Sequence, residues 1–168
     1  NPIQSFMDLV LEAVPDQVTL VPDAEDAITS NAGWDTIRNR SFLTEVCAEF
    51  RKKGIRTSIF IGADPRMAEG AELCGADRVE LYTEPYADMY PTDPQRAVAD
   101  FIKTAEAVRA CGLGLNAGHD LNLDNLEFFI RSIPWTDEVS IGHALISDAL
   151  YMGLERTIQA YLSKVKIF

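Results

Sequence analysis

Residues 53–65 read Lys53-Gly54-Ile55-Arg56-Thr57-Ser58-Ile59-Phe60-Ile61-Gly62-Ala63-Asp64-Pro65, and the order of events in this stretch decides the fold class. Gly54 closes a segment of helical period, because glycine takes the left-handed conformation that ends a helix at no steric cost. Arg56–Ile61 is rich in β-branched residues and predicts a strand. Asp64 and Pro65 then supply an N-cap and a first-turn residue for the next helix. The same grammar recurs at Cys74-Gly75-Ala76-Asp77 before Arg78–Tyr82, and at Cys111-Gly112 before Leu113–Asn116. Two further strands are predicted at Gln17–Val21 and Glu138–Ile141.

Between the strands lie helical patterns at about Ile3–Val14, Arg38–Lys53, Pro65–Cys74, Pro94–Cys111, Leu123–Arg131 and Ala144–Ser163. In the fourth of these, Phe101, Ala105, Val108 and Ala110 share one face, with Lys103, Glu106 and Arg109 opposite. A repeated βα unit implies a parallel sheet with right-handed crossovers, either open and doubly wound or closed as a barrel. Five units are too few to close an eight-stranded barrel, and the chain opens on a helix. A first strand would be expected before Asn1, so either the sheet is open or the chain is incomplete.

At 168 residues the chain is the size of one domain, and 47% apolar with 24% charged residues excludes disorder as its ground state. Fifteen Lys and Arg against 26 Asp and Glu give a net charge of −11. That field disfavours nucleic acid and anionic membranes as partners, and any phosphate would need local backbone N–H groups. No apolar run reaches membrane-spanning length and no leader-like start is visible, so a cytoplasmic location is expected. Cys47, Cys74 and Cys111 are odd in number and widely spaced, which fits buried thiols better than disulfides or structural zinc.

Ligands in parallel α/β folds meet the carboxyl ends of the strands, and both histidines fall there. His119, in Leu-Asn-Ala-Gly-His-Asp-Leu (115–121), presents an imidazole suited to acid–base work. Held by a neighbouring carbonyl, it would equally be a plain loop histidine. His143 follows Ile141-Gly142 directly into a helix, whose first-turn N–H groups could cradle a phosphate; an ordinary strand-to-helix turn has the same pattern. Glu80 lies mid-strand in Arg78–Tyr82, and a carboxylate pointing inward there needs a partner, whereas on an edge strand it would simply face water. Thr19 and Ser58 read as strand hydroxyls bonding backbone. Tyr82, Tyr86 and Tyr90 read as a packed loop with wet hydroxyls. No dinucleotide, P-loop, nucleophile-elbow or HExxH motif is present.

Four segments, QVTLVPD (17–23), VELYTEPYA (79–87), LNAGHDLNLDNL (115–126) and IGHALISDALYMGL (141–154), together resemble the pyridoxine 5′-phosphate synthase family of vitamin B6 biosynthesis. The resemblance implies a parallel (β/α)8 TIM barrel of which residues 1–168 form the C-terminal portion, with the first three βα units absent. It implies an enzyme of the transferase or synthase type that condenses 1-deoxy-D-xylulose 5-phosphate with 3-amino-1-hydroxyacetone 1-phosphate. Ring closure would give pyridoxine 5′-phosphate, phosphate and water, with no cofactor, no metal and a homo-oligomeric state.

By similarity His119 matches the proton donor and Glu80 the carboxylate that stabilises the transition state. Gly142 and His143 match the phosphate-binding pair, and Thr29 the contact to the deoxyxylulose phosphate. Asp120 stands where many members have a substrate-contacting glycine; a carboxylate there repels phosphate unless turned away. Further catalytic and arginine residues would lie in the absent units, so these five units alone are expected to be inactive and to leave sheet edges exposed. Two alternatives remain: another phosphate-binding barrel enzyme, such as an aldolase or isomerase, and a catalytically inactive binding partner. A Schiff-base aldolase would favour a lysine at a strand end, and the five predicted strands end without one.

Overall fold

The computed structural model describes residues 1–23 and 32–166. Along the chain run α1 (Gln4–Ala13), β1 (Gln17–Leu20), α2 (Arg40–Lys52), β2 (Arg56–Ile61), α3 (Pro65–Leu73), β3 (Arg78–Tyr82), α4 (Glu84–Met89), α5 (Pro94–Ala110), β4 (Gly114–His119), α6 (Leu126–Ser132), β5 (Glu138–Ile141), α7 (His143–Met152) and α8 (Leu154–Val165). All strand pairings are parallel, and the sheet order is β1-β2-β3-β4-β5. Sequential order without a reversal is the order of a barrel wall; a doubly wound sheet would switch direction.

Side-chain reach shows the curvature. Five strands about 4.8 Å apart would hold the outer two about 19 Å apart in a flat sheet. Instead Gln17 Nε2 on β1 donates to Glu138 Oε2 on β5 at 3.5 Å, and Arg56 Nη2 on β2 donates to Glu138 Oε1 at 2.8 Å. The sheet is therefore curled into a half-barrel.

Alternation sorts the strand residues onto two faces. Val18, Leu20, Ile59, Ile61, Val79, Leu81, Leu115 and Ala117 form the convex face and join one core with Leu43 and Phe50 of α2 and Phe101 and Val108 of α5. Full burial of such side chains stabilises by about 1.5–3 kcal/mol each. The concave face carries Gln17 and Thr19, Arg56 and Ser58, Arg78 and Glu80, Asn116 and Gly118, and Glu138 and Ser140, so it is polar along most of its length. Phe60 and Tyr82 interrupt it with a ring pair 5.4 Å apart.

The helix stops act as expected: Gly54, Gly75 and Gly112 have φ of 72°, 78° and 71°, and Asp64 caps α3 by accepting from Arg66 N. Elsewhere the structure corrects the sequence reading. The helix predicted over Ala144–Ser163 is two, because Gly153 at φ 82° breaks it. A short helix, α4, follows β3 where a loop was expected. Ala110 is exposed, and Thr104 is buried on α5 together with Phe101, Ala105 and Val108. Tyr86 is buried, with its hydroxyl donating to the Asn125 carbonyl at 2.6 Å and its ring edge-on to Phe101 and Phe129, so it is not wet. Cys47 and Cys74 are buried thiols, whereas Cys111, at the end of α5, is only partly buried; burial pushes Cys47 up to about 11. Helix α7 buries none of its residues, leaving Ile146, Leu150 and Tyr151 exposed beside the edge strand β5.

Candidate active site

The concave face has two chemically distinct ends. At the amino ends of the strands, Arg78 Nη1 lies 3.2 Å from Asp137 and donates to Asn116 Oδ1 at 3.0 Å. Arg56 pairs with Glu138 and donates through Nε to Gln17 Oε1 at 2.8 Å. Asn116 Nδ2 donates on to Glu138 at 3.3 Å. Gly114 leaves room for Arg78 to lie across β4, since a Cβ there would meet Arg78 Cγ at 2.7 Å. Both guanidinium groups are met by carboxylates, and the end is closed electrostatically.

Higher on the same face Glu80 is only 6% exposed. Thr19 Oγ1 donates to Glu80 Oε2 at 3.2 Å, and the Ser140 hydroxyl is a second hydrogen-bond partner. No salt bridge among the described residues involves Glu80. Burial pushes its carboxyl above the usual range; the two hydroxyls and the nearby His119 pull the other way without cancelling the shift, and Glu138 adds to it. A carboxyl held above its usual range by burial is fit for proton transfer or for stabilising positive charge. Thr19 was expected to bond backbone; it holds the site carboxylate instead. Ser58 is buried with no hydrogen-bond partner for its hydroxyl among the described residues.

Gly118 explains how Glu80 fits. A Cβ at Gly118 would lie 2.7 Å from Glu80 Oε1 and 2.9 Å from the Ser140 carbonyl, so the glycine of the Asn-Ala-Gly-His run lets the carboxylate rest against β4. Strand β4 extends to His119, which stands at the strand's last position. The His119 ring centroid is 5.9 Å from that of His143 and 6.5 Å from that of Tyr82. Asp120 Oδ2 lies 2.7 Å from His119 Nδ1. Gly142 caps α7 with open space above it, and His143 opens the helix, so first-turn N–H groups face the same rim. The structure thus brings His119, Glu80, Asp120, Gly142 and His143 to one end of one face; Thr29 lies outside the described residues.

Tyr82 and Glu84 are a pair the sequence reading missed. The Tyr82 hydroxyl donates to Glu84 Oε2, and burial together with that carboxylate pushes the phenol up. The signal was present, since Glu84 sits two residues after an inward-facing strand position. Among the described residues no cluster of His, Cys, Asp or Glu could hold a metal ion, and no helix is long and apolar enough to cross a membrane.

The model of the family described as "Pyridoxal phosphate biosynthesis protein PdxJ" matches residues 1–167. A Bacteroides thetaiotaomicron protein named pyridoxine 5′-phosphate synthase is 63% identical over 160 residues, covering 95% of this chain and 68% of the relative. A Cytophaga hutchinsonii protein of the same name is 58% identical over 166 residues, covering 99% of the chain and 70% of the relative. Among solved structures, the Amycolatopsis orientalis BexX/CysO complex contains a chain similar with a TM-score of 0.58 at 16% identity, covering 94% of this chain and 59% of that one. The last likeness concerns the fold alone.

Proposed function

Because the chain belongs to the PdxJ family of pyridoxal phosphate biosynthesis proteins, we propose that it acts as a pyridoxine 5′-phosphate synthase, condensing 1-deoxy-D-xylulose 5-phosphate with 3-amino-1-hydroxyacetone 1-phosphate. What carries the reading at the level of residues is the convergence of buried Glu80 with His119 and His143 at the carboxyl end of the concave face.

Condensation, dehydration and ring closure need several proton transfers at imine and enol centres, and groups on rigid strand ends perform these well. His119 delivers a proton to a leaving hydroxyl or phosphate oxygen. Glu80 stabilises the cationic character that develops at nitrogen during imine formation. The N–H groups at Gly142 and His143 hold a substrate phosphate, which the net charge of −11 makes dependent on local dipoles. Thr29 contacts the deoxyxylulose phosphate. The half-barrel is part of a closed (β/α)8 barrel in which further strands pair with β1 and β5 and cover α7. The complete protein is a cytoplasmic homo-oligomer.

Incubating the complete protein with both phosphorylated substrates tests the reading directly. Pyridoxine 5′-phosphate absorbance should rise together with released phosphate; the absence of both under conditions where the protein is folded would refute it.

A further inference from the structure

We propose that Asp120 is a positioning residue for His119, fixing the tautomer and direction of the imidazole and acting on turnover through the ring, not by touching substrate. The role of His119 in this inference rests on the synthase reading; the way the ring is held rests on geometry alone.

Asp120 Oδ2 lies 2.7 Å from His119 Nδ1. An ionised carboxylate only accepts, so the proton of this bond sits on Nδ1 and proton exchange with a substrate runs through Nε2. Consecutive residues inside a strand point to opposite faces and could not pair this way. The pairing is possible because β4 ends at His119 and the next residue is turned back by a separate framework.

That framework is buried and specific. Asp120 N–H donates to Thr83 Oγ1 at 3.1 Å, and its carbonyl accepts from Asn125 Nδ2 at 3.3 Å. Thr83 is fully buried and its own N–H donates to the Gly118 carbonyl at 2.9 Å. Asn125 is 2% exposed, and its Oδ1 accepts from Asn122 N at 2.8 Å. The Asp120 backbone is therefore gripped on both sides by buried groups, which fixes where its carboxylate points. The same aim answers the repulsion expected between Asp120 and a substrate phosphate, because the carboxylate faces the imidazole. A carboxylate orienting a catalytic histidine through its second nitrogen is a recurrent device in acid–base sites.

The test compares wild type, Asp120→Ala and Asp120→Glu in the complete protein by two readouts. Nitrogen NMR of labelled histidine reports the tautomer of the neutral His119 ring. Wild type should be dominated by the Nδ1–H form, and Asp120→Ala should shift it toward Nε2–H. In steady-state kinetics with both substrates, Asp120→Ala should lower kcat by about tenfold to a hundredfold, with each KM within about twofold of wild type. Asp120→Glu should recover part of the lost rate. An unchanged tautomer in Asp120→Ala overturns the inference, as does a raised KM at unchanged kcat, which would mean direct substrate contact. Should wild type turn over neither substrate, the synthase reading fails, and the tautomer comparison alone decides the role of Asp120.

Discussion

The two ends of the concave face share a register and a backbone, yet their electrostatics are opposite. At the amino end, Arg56 and Arg78 are met by Glu138 and Asp137, with Asn116 and Gln17 completing the hydrogen bonds. At the carboxyl end, Glu80 is more deeply buried than any of those charges and has hydroxyl groups for partners. The first end uses charge to join strands that are not neighbours in the sheet. The second keeps a carboxyl in an environment that disfavours its ionised form, which costs stability and gives reactivity. One protein wall thus separates structural charge from chemical charge by a few residues along each strand.

Substitutions at the two ends should act with opposite sign on stability. Arg78→Met removes the guanidinium that ties β3 to the start of β5, leaving Asp137 with only the Leu115 N–H as a donor among the described residues. Because both carboxylates it meets are substantially exposed, screening limits the loss to about 1–2 kcal/mol, measured by urea unfolding. Equal stability of wild type and variant would break the distinction between the ends.

Glu80→Gln should do the reverse, raising stability by about 1 kcal/mol at neutral pH while abolishing most turnover. The sign follows from linkage. A carboxyl whose folded-state pKa is raised contributes its full stability at acid pH and loses it as pH climbs through the raised value. The advantage of Glu80→Gln should therefore be absent below the ordinary carboxyl range and grow above it. A flat difference across that window would show that burial does not perturb Glu80.

The smallest effect is expected from Thr19→Val. Losing the donor to Glu80 Oε2 raises the carboxyl further, so stability at neutral pH should fall by about 0.5–1 kcal/mol. The difference should shrink as pH falls and Glu80 protonates; thermal unfolding at several pH values measures it.

Much of this arrangement was legible along the chain. Gly54, Gly75 and Gly112 announce helix ends because left-handed backbone is a local property of glycine. The strands at Arg56–Ile61, Arg78–Tyr82 and Glu138–Ile141 coincide with their predicted bounds. His119 and His143 could be singled out since strand ends in parallel α/β folds are where ligands meet the sheet, and Glu80 since a carboxylate in the middle of a strand needs a partner when it points inward. Other features escaped because their cause is distant in sequence. Thr19 is 61 residues from Glu80, and its hydroxyl becomes a site group only when the sheet curls β1 toward β3. The break at Gly153 escaped for another reason: glycine inside a helical pattern is often tolerated, and local sequence does not say when it will end the helix.

The chain's own residues determined the βα repeat, the parallel sheet and the set of polar groups at the strand ends, because helix stops, caps and strand propensities act over a few neighbouring residues. Tertiary structure alone decided which groups meet. Curvature carries Gln17 to Glu138 and Thr19 to Glu80, and the buried grip of Thr83 and Asn125 turns Asp120 onto His119. Such pairings depend on where strands far apart in sequence come together, and hydrogen bonds and ion pairs act over only a few ångströms.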